Sequence, residues 1–271
     1  MNEEQNRAIV KETFNAVAAG YDGKALRFFS ESAKHLSDCL DLRGDEQVLD
    51  VATGTGHAAL AIAGRLPRGR VTGVDFSSGM LDRARRKAAA LNLHNVDFQE
   101  REMRALGFPA GHFDAAVCAF GIFFVEDMET QLSSIASLVN PGGQVAVTSF
   151  NENYFHPLKE MMHDRLAAYG VTKSPQTWRR IATEAGCRAL FEHANLENIR
   201  VEPKNVGYHL DSASDWWDVI WNAGFRRLVE QIPADARQRF KREHLQEVAA
   251  LRTADGIWLD AGVLFTIGTK R

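Results

Sequence analysis

The sequence lacks the features that mark several specialised classes of protein. It has only three cysteines in 271 residues, Cys39, Cys118 and Cys187, and none belongs to a CxxC pair. A disulfide framework and a thiolate zinc site are therefore not expected, and a reducing compartment, the cytoplasm, is predicted. No apolar run approaches about 18 residues, and the polar start MNEEQNRAIVKETF has no apolar signal-peptide core, so no membrane insertion is expected.

The chain also has no excess of positive charge. Its formal net charge is -3 and its isoelectric point is about 6.3. Proteins that bind nucleic acids carry a basic face, so no nucleic-acid partner is expected. The basic run RARRK at 83–87 has no interleaved aromatic residues and is predicted to be the solvated face of a helix. The remaining composition is that of a globular protein, and a homodimer is compatible with it.

Short apolar segments alternate with helical segments up to Phe150. The strands are predicted at EQVLDVA, RVTGVDF, NVDFQER, FDAAVCAF and QVAVTSF. Helices are predicted between them, and two more precede them at 3–20 and 24–41. Strands that alternate with helices indicate βαβ units, in which a mostly parallel sheet is covered on both faces.

The alternation ends after Phe150, where long helical segments enclose two further strands. This change of pattern predicts five parts of the chain. They are an N-terminal helical and Rossmann-like core part at 1–150, a helical insertion at 151–197, a core strand at 198–210, a second helical insertion at 211–257 and the last core strand at 258–271.

One stretch, VLDVATGTGHAAL at 48–60, has the pattern of a strand, a glycine turn and a helix. Ligands of open parallel sheets bind beyond the carboxyl ends of the strands, where such a turn lies. Gly54 and Gly56 would let the backbone approach a ligand closely. Asp75 ends the next strand, where a carboxylate can accept hydrogen bonds from two ribose hydroxyls. A tight turn without any ligand is the alternative reading of the glycines.

The turn does not fit a dinucleotide or a triphosphate. The run from Thr53 to Ala58 has no third glycine, and no G-K-[ST] follows. Asp50, inside the strand, would repel a pyrophosphate but would suit a cationic ammonium group. These features favour S-adenosylmethionine, which carries an amino-acid tail and a sulfonium, over a nicotinamide cofactor and an oxidoreductase.

Four stretches together resemble a known family, namely VLDVATGTGHAA, VTGVDFSSGMLDRAR, LGFPAGHFDAAVCAFGIFFVED and LVNPGGQVAVTSF. They resemble the class I S-adenosylmethionine-dependent methyltransferases, and most nearly the ubiquinone/menaquinone biosynthesis C-methyltransferases. The resemblance implies a Rossmann-like seven-stranded, mostly parallel sheet with an antiparallel last strand and helical cap insertions. It also implies S-adenosylmethionine as cofactor and a small-molecule methyl acceptor.

The resemblance further implies the residues that bind the cofactor. Asp75 would hold the ribose hydroxyls, Phe76 would pack on the adenine, and Tyr21 would close over the site. Glu102 and the backbone N–H of Met103 would contact the adenine. The other implied cofactor residues surround the methionine part, line the pocket or lie beneath the sulfonium: Asp50, Ala52, Thr53, Gly54, Gly56, Met80, Ala119, Phe120 and Gly121.

The sequence departs from the quinone methyltransferases in ways that leave the acceptor open. Ala52 replaces the first glycine of the usual loop, and EREMRAL replaces a G-D-A-type run. Phe123 and Phe124 stand where the closest C-methyltransferases have an arginine–asparagine pair.

The acceptor and the catalytic groups are specified less well than the cofactor site. Weak candidates for a general base are His35, His156 and His163, and packing or solvation is the alternative for each. Aromatic residues predicted to line the acceptor site are Phe28, Phe123, Trp217 and Trp221, with core packing as the alternative. His57 is expected to be a wall residue, and no metal site is expected. The predicted function is in-line methyl transfer from S-adenosylmethionine, and the alternative is a non-methylating or regulatory S-adenosylmethionine-binding protein.

Overall fold

The structure, a computed structural model, describes residues 3–171 and 176–271. Residues 1–2 of the predicted core part and residues 172–175 of the predicted insertion at 151–197 lie outside the described residues. The described α-helices are α1 (Glu3–Val17), α2 (Phe28–Cys39), α3 (His57–Ala63), α4 (Ser78–Ala90), α5 (Met128–Ser137), α6 (Leu158–Ala168), α7 (Glu184–His193), α8 (Ala213–Trp221), α9 (Arg226–Val229) and α10 (Ala234–Ala249).

Seven of the described strands form one sheet, and two form a separate ribbon. The strands are β1 (Gln47–Val51), β2 (Arg70–Asp75), β3 (Val96–Glu100), β4 (Phe113–Ala119), β5 (Val139–Phe150), β6 (Leu196–Asn205), β7 (Tyr208–Leu210), β8 (Ile257–Leu259) and β9 (Gly262–Lys270). The sheet has the order β3-β2-β1-β4-β5-β9-β6, and β7 pairs with β8.

The sheet is mostly parallel. β1 pairs in parallel with both β2 and β4, whereas β9 runs antiparallel to β5. Flanking helices cover the sheet, and the predicted fold class is therefore confirmed. The strand order reverses at β1, because β2 and β3 extend to one side of it and β4 and β5 to the other. The carboxyl end of β1 is thus the switch point at which such sheets bind ligands.

The local sequence explains why these elements form. β1 is buried over four of its five residues, as expected of a central parallel strand. The hydroxyl of Ser77 accepts a hydrogen bond from the backbone N–H of Met80 and caps α4. Asp127 caps α5 in the same way by accepting from the N–H of Thr130.

The chain divides into two compact units. The sheet unit contains 29–152, 177–204 and 263–271, and the helical unit contains the described residues of 1–28, 153–176 and 205–262. The helical unit has a core of its own, in which Trp216 and Phe240 are fully buried.

The predicted boundaries differ from the structure in the second half of the chain. The predicted insertion at 151–197 divides after residue 176, because the side chains of α7 pack into the core beneath the sheet. The predicted core strand at 198–210 divides into β6 and β7. Asn205 stabilises the break between β6 and β7, because its side-chain oxygen accepts hydrogen bonds from the N–H groups of Gly207 and Ala261.

Two further differences concern strand ends. The segment predicted as the last core strand, 258–271, begins in the ribbon and enters the sheet only at Gly262. The strand predicted at QVAVTSF begins earlier, at Val139, and includes the run NPGG as an irregularity, since the pairing of β4 with β5 jumps from Phe113–Val139 to Ala115–Gln144. Across residues 3–171 and 176–271, no helix is both long enough and apolar enough to cross a membrane.

Candidate functional site

A loop of five residues joins β1 to α3 at the switch point of the sheet. Three of these residues have positive φ angles: Ala52 at 55°, Gly54 at 55° and Gly56 at 83°. A Cβ on Gly56 would lie only 3.0 Å from the Cβ of Ala84, so tight packing and the positive φ together favour a glycine there. A Cβ on Gly54 would meet no described atom within 4 Å. The loop therefore leaves open space beside Gly54, which a ligand can occupy.

Asp50 lies fully buried on β1 directly before this loop. Its Oδ2 accepts hydrogen bonds from the hydroxyl of Thr53 at 2.6 Å and from the N–H of Ala59 at 3.0 Å. Its Oδ1 has no hydrogen-bond partner among the described residues. Burial raises the pKa of Asp50 to about 7. A buried acceptor without a partner is costly, so a ligand that donates to it would be strongly favoured.

Asp75 ends β2 on the neighbouring side of the loop and is also buried. Its Oδ2 accepts from the N–H of Gly54 at 2.9 Å, and its Oδ1 accepts from the N–H of Ser77 at 2.8 Å. Burial raises the pKa of Asp75 to about 6. Each carboxylate oxygen has a second lone pair, so Asp75 can organise the loop and still accept from two vicinal hydroxyls.

The residues predicted to surround the adenine follow β2 and β3. Phe76 is half-buried, and Met80 is buried on α4. Glu102 is half-buried, and its carboxylate lies 3.2 Å from Nε of Arg104. The carbonyl oxygen of Met103 accepts a hydrogen bond from the side-chain amide of Gln131. Arg104 and Gln131 are thus neighbours of this region that sequence reasoning missed.

The carboxyl end of β4 packs directly against the glycine loop. A Cβ on Gly121 would lie only 2.7 Å from the Cβ of Ala52. Phe120, which follows Ala119, has a φ of 54°, a conformation that bulky residues rarely adopt. The backbone N–H of Phe120 donates to both the carbonyl and the hydroxyl oxygen of Thr148. Strained backbone of this kind is typical of binding sites.

Phe120 lies at the centre of an aromatic cluster in the sheet unit. Its ring centroid lies 5.4 Å from that of Phe29 and 4.6 Å from that of Phe150. Sequence reasoning named Phe28 for the acceptor site and gave Phe150 no role, although Phe150 ends a strand at the ligand-binding edge. Its position at the end of a strand was the sequence signal that could have identified Phe150 as a site residue. Phe123 packs against the sheet core, and its carbonyl accepts from the hydroxyl of Thr177 at 2.6 Å.

His35 is not brought to the glycine loop. Its Nε2 lies 2.7 Å from Oε1 of Glu202, and its ring packs edge-on against Phe265. Glu202 is on β6, which lies four strands from β1, or about 19 Å at the usual strand spacing. His57 is half-buried at the start of α3, directly after the loop.

The other predicted site residues belong to the helical unit. There Tyr21 contacts Phe14, and Phe28 contacts Phe155 edge-on. The exposed His156 pairs with Glu160.

The remaining three form contacts within the same unit. His163 lies edge-on to Phe225, with ring centroids 6.4 Å apart. Trp217 and Trp221 stack on each other at 5.8 Å. The ammonium of Lys241 covers the ring of Trp217, and the guanidinium of Arg226 covers that of Trp221. Each ring of the tryptophan pair therefore contacts the other ring and a cation.

The sheet-unit residues fit S-adenosylmethionine. The partnerless Oδ1 of Asp50 suits a donor such as an ammonium group, and Asp75 suits a pair of ribose hydroxyls. The open space beside Gly54 admits a ligand close to the backbone. A pyrophosphate does not fit, because two buried carboxyl groups flank the loop.

Comparison with known proteins agrees with this geometry. Residues 48–143 match the family described as "Methyltransferase domain". The chain is similar to a demethylmenaquinone methyltransferase of Thermus thermophilus, with 38% identity over 141 residues. These are 51% of this chain and 64% of the relative, so the match spans less than two thirds of that protein. The ubiquinone/menaquinone biosynthesis C-methyltransferase UbiE of Cronobacter sakazakii is 29% identical over 76% of this chain and 85% of its own.

Two more comparisons extend the match. The aklanonic acid methyltransferase DauC of a Streptomyces species is 28% identical over 66% of this chain and 83% of its own. Among solved structures, the YcgJ protein of a Bacillus species superposes with a TM-score of 0.60 at 21% identity, covering 89% of this chain and 98% of that one. This last likeness concerns the fold alone.

The fold, the loop and these matches together define an S-adenosylmethionine-dependent methyltransferase with a Rossmann-like core. Within that class, the chain is similar in sequence to enzymes named for demethylmenaquinone, for ubiquinone and menaquinone biosynthesis, and for aklanonic acid.

Proposed function

We propose that this enzyme methylates a planar, largely apolar small molecule of the hydroquinone or polyphenol type. Three relatives support this acceptor class by their names, which refer to demethylmenaquinone, to ubiquinone and menaquinone, and to aklanonic acid. The observation on which the proposal rests is the aromatic cluster of Phe29, Phe120 and Phe150 at the carboxyl edge of β4 and β5. Aromatic side chains are the usual lining of sites for planar ligands.

In this proposal the sheet unit holds the cofactor through the residues around its loop. Asp50 accepts from the ammonium group, Asp75 accepts from the ribose hydroxyls, and Gly54 lets the ligand approach the backbone. S-adenosylmethionine supplies an electrophilic methyl group on its sulfonium. The backbone of Ala119 and Phe120 would line the site next to that group, and the two hydrogen bonds from the N–H of Phe120 to Thr148 fix its position.

The aromatic residues of the cluster position the acceptor relative to the methyl group. Alignment of a nucleophile with a methyl group can supply about 7–11 kcal/mol of barrier lowering. A hydroquinone ring carbon is activated by its own hydroxyl groups, so the protein needs alignment and water exclusion more than a strong base. His156, His163, Trp217 and Trp221 stay predictions for the acceptor side, and Tyr21 stays a prediction for the cofactor site.

The cellular setting is part of the same proposal. All three cysteines are free thiols, which fits a reducing compartment, and we propose that the enzyme acts in the cytoplasm. The homodimer stays a prediction.

The test uses the purified chain, methyl-labelled S-adenosylmethionine and a panel of acceptors. The panel contains a short-chain demethylmenaquinol, a hydroxylated anthraquinone acid, a simple catechol and an aliphatic amine. We expect label on one of the aromatic acceptors, and mass spectrometry then locates it on carbon or oxygen. Phe150→Leu should raise KM for that acceptor several-fold while cofactor affinity stays within about twofold.

Methylation of the amine alone would contradict the proposed acceptor class. Tight binding of S-adenosylmethionine without turnover on any panel member would instead favour the non-methylating alternative. Calorimetric titration of the cofactor on the same preparation separates these two results.

A further inference from the structure

A second cluster of reactive side chains lies in the sheet unit away from the glycine loop. It consists of His35 and Cys39 on α2 and Glu202 on β6. His35 and Cys39 are four residues apart, so they share one face of the helix. The three donor atoms lie close together: Sγ of Cys39 is 3.6 Å from Nε2 of His35 and 3.7 Å from Oε2 of Glu202.

We propose that His35, Cys39 and Glu202 form a site for a divalent transition-metal ion of the zinc class. Nitrogen, thiolate sulfur and carboxylate oxygen are the three donors that zinc prefers. With metal–ligand bonds of about 2.0–2.3 Å, a tetrahedral site has donor–donor edges of roughly 3.4–3.6 Å. The two edges that include Sγ are close to this range without any movement.

The carboxylate of Glu202 must also shift. Its other oxygen, Oε1, lies 2.7 Å from Nε2 of His35, a hydrogen-bond distance, and this contact must break for an ion to bind Nε2 and Oε2 together. Glu202 is half-exposed on an edge strand, so its side chain can move outward. The same exposure gives an ion and one water a route to the fourth position.

Two cations near the cluster have to be accommodated. Nζ of Lys204 lies 3.0 Å from Nδ1 of His35, and the guanidinium of Arg200 donates to the carbonyl of Cys39. When the metal takes the lone pair of Nε2, the ring proton resides on Nδ1. Lys204, which is exposed, then turns to solvent. Arg200 contacts the backbone rather than the thiol and can stay in place.

Binding of one metal ion would release one proton from the site. The Sγ–H bond of Cys39 breaks as the Sγ–metal bond forms, and the proton leaves to solvent. Glu202 contributes its carboxylate and His35 its neutral ring, so one proton is released for each ion. No electron is transferred. The ion would tie α2 to the edge strand β6, two segments more than 160 residues apart.

Cobalt(II) is the probe for the full chain after treatment with a chelator. We expect one cobalt ion per chain, with the ultraviolet charge-transfer band of a cobalt–thiolate bond, and displacement of that ion by zinc. Cys39→Ser should abolish the band, even though Cys118 and Cys187 remain. His35→Gln and Glu202→Gln should each weaken cobalt binding at least tenfold.

Glu197→Gln is the matched control, because Glu197 lies on the same strand but pairs with Arg271. It should bind cobalt as the wild type does. Zinc should raise Tm in the wild type and in this control but not in Cys39→Ser. Unchanged circular dichroism and unchanged S-adenosylmethionine affinity show that each variant is folded.

Two results would overturn the site. One is the absence of a thiolate band in the folded wild type at millimolar cobalt. The other is cobalt binding that Cys39→Ser or Glu202→Gln leaves intact, since the ion would then lie elsewhere. Neither result bears on the proposed methyl transfer, which the acceptor panel tests separately.

Discussion

Replacing Asp50 by Asn should remove part of the pH dependence of the stability of the ligand-free protein. Asp50 is completely buried, and one of its oxygens has no hydrogen-bond partner among the described residues. Its pKa rises from 3.8 to about 7 on folding, because burial disfavours the charged form. That rise corresponds to about 4 kcal/mol.

The sign follows from proton binding. A carboxyl group whose pKa is raised on folding binds more protons in the native state than in the unfolded state. Its contribution to the free energy of unfolding is therefore largest below about pH 4 and is lost as the pH rises towards about 7. Asn keeps the shape and the carbonyl acceptor for Thr53 and Ala59 but cannot ionise. The stability of Asp50→Asn relative to the wild type should therefore increase by up to about 4 kcal/mol between about pH 4 and pH 8.

Urea unfolding of ligand-free protein at several pH values measures this difference. Asp97→Asn is the control, since that carboxylate is half-buried on β3 and accepts from the side chain of Gln99. Parallel stability–pH curves for Asp50→Asn and the wild type would refute the reasoning. Although Asp50→Asn should gain stability relative to the wild type at high pH, its affinity for the cofactor should fall about ten- to hundredfold. A hydrogen bond to a charged group is worth about 1.5–3 kcal/mol.

Three other substitutions test the remaining parts of the structure. In Asp75→Asn, the new amide NH₂ faces one of the two backbone N–H groups that donate to Asp75. Cofactor affinity, measured by calorimetry, should therefore fall about ten- to hundredfold. Unchanged affinity would exclude the ribose role. Gly54→Ala adds a Cβ in open space, so Tm should drop no more than in Gly142→Ala, which has a similar positive φ and similar space. Only Gly54→Ala should weaken cofactor binding, and equal binding by both variants would leave Gly54 a simple turn residue. Trp217→Ala should cost about 3–5 kcal/mol in urea unfolding, because this buried ring packs on Trp221 and beneath Lys241; a smaller loss together with a raised acceptor KM would favour a role in the acceptor site.

The core of the fold was predictable because its signals are local. Buried apolar runs specified the strands from β1 to β5, and the glycine loop with Asp50 and Asp75 marked the switch point. Each of these signals lies within a few residues of the feature it predicts. The seven-stranded sheet with an antiparallel strand followed from the resemblance and is confirmed.

The later segments were harder because long-range packing decides them. Nothing within 198–210 shows that β7 leaves the sheet, since the break depends on Asn205 bonding to Ala261, far along the chain. The cluster of His35, Cys39 and Glu202 was equally hidden, because its third member is 163 residues from its second. Periodicity likewise could not show that Trp217 and Trp221 stack on each other and that each ring contacts a cation.

The place of β9 between β5 and β6 has a consequence for the order in which the sheet can assemble. β6 precedes β9 in the chain, yet β9 is the neighbour that connects it to the rest of the sheet. Until residues 262–270 have docked on β5, β5 is an edge strand with unpaired backbone groups. Until then β6 also cannot take its place in the sheet, where it contacts α2. Closing the sheet therefore waits on a contact between distant segments, the kind of step that slows folding and exposes an edge to other chains.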